Sequence, residues 1–308
     1  MQKLNTFRTT CCAQFNLVCF FTDYFKKCGI ASKKIRGMKA KKSFGQHFLH
    51  RADIAERIAS SLTLSNSNSN VLEIGPGTGM LTQYLIKRFE NLKLIEADND
   101  MVEAVKNRFP KFERENIISK DFLKLDLTQV FNGETFFLIG NFPYNISSQI
   151  LIRMIDNVEC VTQMVGMFQK EVAERIVAQP GGKVYGVISV LVQAHYSGEY
   201  LFGVDRSSFN PPPNVQSAVI RLTRKENNLL NCDRVLFRKV VKQAFSQRRK
   251  MLRNTLKPFF QNNPEVLSDN YFTKRPEVLS VAEYADLTNR IEELGNAKII
   301  LDENIELE

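Results

Sequence analysis

The tetrad Asn141-Phe142-Pro143-Tyr144 stands directly after an apolar run at 136–140. An amide, a proline and an aromatic in that order can act on an amine conjugated to a nucleobase. The lone pair of such an amine is delocalised into the ring, so the nitrogen is a poor nucleophile. Two hydrogen-bond acceptors on its hydrogens pull it toward tetrahedral geometry and localise the pair. The Asn141 side-chain oxygen and the Phe142 carbonyl suit that task, and Tyr144 would stack on a base lifted out of its helix. Pro143 stiffens the turn, which limits positional error near the reacting atoms. The nitrogen becomes acidic only after alkylation and then sheds its proton to water, so an uncharged acceptor suffices. His47 is the alternative base by sequence context, while His50 and His195 fall in no pattern. A plain Asn/Pro turn is the bland alternative.

Further residues point to a ligand for the same surface. Glu73-Ile74-Gly75-Pro76-Gly77-Thr78-Gly79 follows one strand-like run and opens a helix. Glycines let the chain turn tightly and let a ligand approach the backbone. A pyrophosphate site would want G-x-G-x-x-G, but here the third glycine comes one position early and Pro76 removes a donor. Glu96, at the end of the next run, can accept both hydroxyls of a ribose. Asp121, at the end of the third, can accept the exocyclic amine of an adenine or cap a helix. Together they describe an adenosine without phosphates, and S-adenosylmethionine fits. The extended Phe209-Asn210-Pro211-Pro212-Pro213 offers Phe209 as a clamp on the other face of a target base, or serves as a simple connection between strands.

Such residues need a frame that brings strand ends together. Apolar runs at 71–75, 93–98, 116–119, 136–140 and 161–168 read as short buried strands. Between them, 80–89, 101–109 and 146–155 show helical spacing, as does 171–178 after the last. That alternation predicts an α/β domain with a mostly parallel sheet covered on both faces. Segments 187–194 and 215–223 are rich in β-branched residues and are expected to pair antiparallel. After the polar stretch KENNLLNCD (225–233), apolar residues recur at helical spacing from Phe237 to Leu256, then again at Val266 and Leu267 and from Val281 to Ile291. A catalytic domain at 38–225 and a small all-helical domain at 226–295 are expected.

Composition narrows the class. Of 308 residues, 44% are hydrophobic and 24% charged, the mixture of a globular protein. No run reaches the ~18 apolar residues of a membrane span. Residues 1–37 carry a net +6 and four of the six cysteines, and read as an over-extended gene start or a disordered extension before Met38. Residues 296–308 form an acidic tail. The body between retains a basic excess, which favours a polyanionic partner. No CxxC spacing calls for zinc, no metal is expected, and the cysteines fit a reducing, cytoplasmic compartment.

The segments GQHFL (45–49), LEIGPGTGMLT (72–82), IEAD (95–98), GNFPYNISS (140–148), FQKEVAERIVAQPG (168–181), FNPPPNVQSAV (209–219) and QRRKMLRNTL (247–256), with Asp121, resemble the KsgA-type small-subunit ribosomal RNA adenine N6-dimethylases over residues 38–290. The resemblance implies a class I (Rossmann-like) methyltransferase fold with a helical C-terminal domain. It implies four methyl transfers, two to each of two adjacent adenines in a hairpin loop near the 3′ end of small-subunit (16S) rRNA. It assigns cofactor contacts to His47, Leu49, Gly75, Glu96, Asp121 and Asn141, alongside the Gly77 of the loop. It assigns the target adenine to Asn141, Pro143 and Tyr144, with Phe209 stacking. Phe142 stands where the family often has Leu, and only its backbone is expected to matter.

For RNA, Arg248, Arg249, Lys250 and Arg253 are expected on one helix, on which Arg249 and Arg253 share a face with Lys242, with Lys41 and Lys42 adding to the patch. Such a face neutralises phosphates and makes binding salt-dependent. The expected partner is rRNA within a pre-ribosomal small subunit, met by a monomer. Three alternatives stand: an Erm-type enzyme acting on large-subunit rRNA, a mitochondrial relative that doubles as a transcription factor, and an assembly factor acting mainly by binding. The GPG loop, FNPPPNV and QRRK favour the small-subunit enzyme over the Erm type.

Overall fold

The computed structural model describes residue 41 and residues 45–63, 67–226 and 230–294. Five short apolar runs become parallel strands: β2 (Val71–Ile74), β3 (Leu92–Glu96), β4 (Ile117–Ser119), β5 (Phe136–Asn141) and β6 (Val161–Gln169). Every residue of β2 is buried, as expected of a central strand covered on both faces. Two further strands, β7 (Tyr196–Val204) and β9 (Ser217–Arg224), complete one sheet in the order β4-β3-β2-β5-β6-β9-β7. β9 alone runs against its neighbours. A separate two-stranded pair joins β1 (Phe48–Leu49) to β8 (Phe209–Asn210).

The crossovers carry α1 (Ala52–Ser60) before β2, α2 (Thr82–Leu85) after it and α3 (Asn99–Arg108) after β3. They continue with α4 (Ser147–Asp156) before β6 and α5 (Lys170–Val177) after it. Asp98 starts α3 by accepting the Asp100 N–H, so the helix begins where β3 has just ended. The helix expected over 80–89 is shorter than its spacing implied, because turns occupy both of its ends.

The segment 187–194 is a helix, α6 (Val187–Gln193), and not the expected strand. Val190 and Val192 are buried and Val187 and Ile188 pack partly buried against the core, so packing decided the conformation over local preference. Ser189 Oγ accepts the Gly186 N–H and donates to the Arg175 carbonyl, pinning the first turn. The strand that does pair with β9 is β7, an edge strand whose exposed Ser197, Gly198, Glu199 and Tyr200 hid its alternation.

The C-terminal region is helical: α7 (Arg234–Phe245), α8 (Leu252–Thr255) and α9 (Val281–Leu294), with 3-10 turns between them. Asp233, the last residue of the polar stretch, caps α7. One apolar cluster nevertheless runs from the sheet into these helices, from Leu72 and Phe168 to Phe237, Tyr284 and Ile291. Phe245 bridges the two parts between Tyr185 and Tyr284. The helical region therefore shares the core of the sheet domain. Among the described residues no helix is long and apolar enough to cross a membrane.

Candidate active site

A cavity opens at the carboxyl ends of β2, β3, β4 and β5, where an open α/β sheet receives ligands. Gly75 and Gly77 adopt positive φ, +65° and +54°. A Cβ on Gly75 would meet nothing within 4 Å, so the turn leaves room for a ligand against bare backbone. Glu96 is 8% exposed at the end of β3. Its Oε2 accepts the Gly77 N–H at 3.2 Å and its Oε1 the Asp98 N–H at 3.0 Å. Burial raises its carboxyl above the ordinary range, and these N–H bonds oppose the rise. Each oxygen retains a lone pair, so a ribose diol can still be received. Asp121 both lines the cavity and caps a 3-10 turn, accepting the Leu123 N–H at 3.0 Å. The two readings of that residue are compatible, because one oxygen caps and the other stays available.

Lys41 and Gln46, both ahead of β1, reach this edge. Asp98 is buried and accepts from Lys41 Nζ at 2.7 Å and Gln46 Nε2 at 3.0 Å. Burial alone would raise its carboxyl, but the Lys41, Gln46 and Asp100 donors outweigh it and hold it below the ordinary range. Lys41 also pairs with Asp100 at 2.7 Å. This corrects the expectation for Lys41: its charge is directed at two carboxylates beside the cavity, not at an open basic patch. Lys42 lies outside the described residues.

Asn141 ends β5 and donates from Nδ2 to the His47 carbonyl at 3.1 Å. A carbonyl only accepts, so this bond fixes the amide and leaves Oδ1 for a substrate amine. His47 Nδ1 donates to the Pro211 carbonyl at 2.8 Å, and its ring stacks on Tyr144 with centroids 5.6 Å apart. The Tyr144 hydroxyl lies 2.5 Å from Ser217 Oγ on β9, so the far edge of its ring is tethered as well. Pro143 heads the 3-10 turn Tyr144–Ile146. His47, Asn141, Pro143 and Tyr144 all line the cavity.

The Phe142 side chain matters, contrary to expectation. Its buried ring covers Gly140 and Gly166, which face each other across β5 and β6. A Cβ on Gly166 would come within 2.3 Å of that ring, and one on Gly140 within 2.8 Å. The ring anchors the loop that carries Asn141, Pro143 and Tyr144. Sequence reasoning missed Gly166, though a glycine inside an apolar strand signals close approach.

Phe209 departs from its expected role. It is 2% exposed, belongs to an apolar cluster with Leu49 and lies outside the cavity lining. Its pairing with Leu49 across β1 and β8 uses the ring as an anchor. That anchor holds Pro211 where His47 can reach it. Leu49 keeps a place in the lining.

The single basic helix expected over 237–256 is broken. α7 ends at Phe245, a turn follows, and Leu252 restarts the helix with its N–H on the Lys274 carbonyl. Arg249 and Arg253 therefore do not continue the helical face of Lys242. Arg249, Lys250 and Arg253 are exposed, whereas Arg248 is half-buried and donates to the Gly182 carbonyl at 3.1 Å.

Sequence reasoning gave Glu73 no role, although an acid inside a fully buried strand is itself a signal. It is 1% exposed and lines the cavity, and its Oε2 has no hydrogen-bond partner.

Comparison with known proteins shows the family. The family model described as ribosomal RNA adenine dimethylase matches residues 37–294. A protein of Flavobacterium johnsoniae named ribosomal RNA small subunit methyltransferase A is 50% identical over 84% of this chain and 98% of its own. One of the same name from Bacteroides fragilis is 49% identical over 83% of this chain and 93% of its own. Among solved structures, a dimethyladenosine transferase from Plasmodium falciparum superposes with a TM-score of 0.69 at 27% identity, covering 81% of this chain and 99% of that one. The 23S rRNA methyltransferase ErmE, at 23% identity and a TM-score of 0.61 over 80% of this chain and 99% of its own, shares the fold. By sequence across nearly its whole body, with its fold in agreement, this chain belongs to the ribosomal RNA adenine dimethylase family.

Proposed function

We propose that the chain transfers methyl groups from S-adenosylmethionine to N6 of two adjacent adenines in a hairpin loop near the 3′ end of small-subunit (16S) rRNA. The products are N6,N6-dimethyladenosines, made in the cytoplasm by a monomer on a pre-ribosomal small subunit. The observation that carries this is the convergence of Glu96, Asp121, the bare glycine turn and the Asn141–Tyr144 loop on one cavity. The names of the curated relatives support the small-subunit substrate.

The site fits the donor through the open space at Gly75 and the spare acceptors of Glu96 and Asp121. When bound, the donor supplies an electrophilic methyl on a sulfonium. Asn141 Oδ1 and the Phe142 carbonyl accept the two N6 hydrogens and turn the nitrogen lone pair toward that methyl. The His47-backed Tyr144 ring supports the everted base from one side. The proton leaves to water after transfer, and no ionised base is needed. Arg249, Lys250 and Arg253 meet phosphates away from the cavity.

Methyl transfer from labelled donor tests the substrate choice. Undermethylated small subunits should be labelled and large-subunit rRNA should not. Labelling of large-subunit rRNA alone would overturn the proposal.

A further inference from the structure

A ring that supports an everted base has to point in one direction. For Tyr144 two torsions set that direction: χ1 aims the Cβ–Cγ axis, and χ2 turns the ring plane about it. The His47 ring lies 5.6 Å from that of Tyr144 and within 26° of parallel, so it holds the plane. It does not hold the axis, because offset stacking is satisfied over a range of lateral positions. The hydroxyl holds the axis. It sits at the end of the Cβ–Cγ line, and it lies 2.5 Å from Ser217 Oγ, 73 residues further along the chain.

Ser217 is a fixed post. It is the first residue of β9 and is fully buried. Its backbone is paired on one side with Gln169, the last residue of β6, and on the other with Val204, the last of β7. Beside it the Gln216 carbonyl accepts the Lys170 N–H at 2.9 Å. The segment leading into β9 also backs the other support of the ring, because the Pro211 carbonyl accepts from His47 Nδ1 at 2.8 Å. Residues 211–217 thus hold Tyr144 twice, once through His47 and once directly.

We propose that Ser217 is a positioning residue for methyl transfer: its hydroxyl fixes the axis of the Tyr144 ring, and so the lateral place of the target base against the donor methyl. The inference rests on the methyl-transfer reading above. Ser217 lies outside the cavity lining, so it acts through Tyr144 and on kcat rather than on donor binding.

Ser217→Ala and Tyr144→Phe delete the same hydrogen bond from opposite ends, and both keep the aromatic ring. With undermethylated small subunits as substrate, each should lower kcat by about tenfold, the upper range for one neutral hydrogen bond. Donor affinity by calorimetry should not change. The double variant should also lose only about tenfold, whereas independent effects would multiply to about a hundredfold. A purely structural role of Ser217 in β9 would add to the loss from Tyr144→Phe. Unchanged kcat in Ser217→Ala, an equal fall in donor affinity, or multiplied losses in the double variant would each overturn the proposal. Should Ser217→Ala fail to fold, Tyr144→Phe decides: a lower kcat at unchanged donor affinity supports the tether, and an unchanged kcat overturns it. No transfer by wild-type protein would overturn the methyl-transfer reading and this proposal with it, whereas transfer at full rate by the variants overturns this proposal alone.

Discussion

Asn141 donates from its amide nitrogen to the His47 carbonyl, and its oxygen is the part that the proposed chemistry uses. Asn141→Ala should therefore lower kcat by about 10²–10³-fold, the usual cost of removing one aligned polar partner, while donor affinity changes less. Equal losses in both would make Asn141 a cofactor ligand only. Glu96→Ala should act the other way. If two charge-assisted bonds to a ribose are removed, calorimetry should show donor affinity falling by about a hundredfold or more, and unchanged affinity would take the ribose away from it. Glu73 predicts a stability effect without ligand. Its folded value, about 8, lies above the ordinary 4.5, so its stabilising contribution is complete below 4.5 and is lost as pH rises through 8. Glu73→Gln should thus gain thermal stability over wild type as pH goes from 5 to 9, and parallel curves would refute the buried neutral acid. The placement of Asn141, Glu96 and Asp121 was legible in the sequence because each lies at or just beyond the end of a strand. Glu73 was not, because its meaning lies in a buried oxygen, Oε2, left without a partner, which only packing reveals.

At the scale of elements, the Asn141–Tyr144 loop depends on two glycines and a ring. Gly140 and Gly166 pair across β5 and β6, and Phe142 lies over both. Gly166→Ala forces a methyl into a buried ring and should cost about 1–3 kcal/mol, with a fall in kcat at unchanged donor affinity. Adding Phe142→Leu removes the obstructing ring edge and should restore part of both, because neighbouring sites are not additive. Thermal unfolding and kinetics of the double variant check this, and purely additive losses would break the link between ring and glycine. The parallel strands were readable as short apolar runs between helical periods. Two elements were not: α6 carries the residues of a strand but is buried as a helix, and β7 is an edge strand with a polar face. In both, tertiary position outweighed local pattern. The inward role of Phe209 was hidden for the same reason, since an aromatic before a proline run gives no sign that it pairs with Leu49 and packs into the core.

The whole molecule carries a net charge of +9 and joins its sheet to its C-terminal helices through one apolar cluster. That continuity fixes the exposed Arg249, Lys250 and Arg253 relative to the cavity, which a loosely tethered domain would not do. Arg249→Glu with Lys250→Glu should weaken rRNA binding and reduce its salt slope by about one for each phosphate that is no longer neutralised. Donor affinity should stay the same, and an unchanged slope would remove this turn from the RNA interface. The polyanionic partner was legible from charge, but the shape of its surface was not, because the break between α7 and α8 has no signal in helical spacing. The most direct measurement is nucleoside mass analysis of undermethylated small subunits incubated with S-adenosylmethionine and either wild-type chain or Asn141→Ala. N6,N6-dimethyladenosine at two adjacent positions with wild type, and little with the variant, is the expected result. Absence of dimethyladenosine with wild type, or full modification by the variant, would contradict the account.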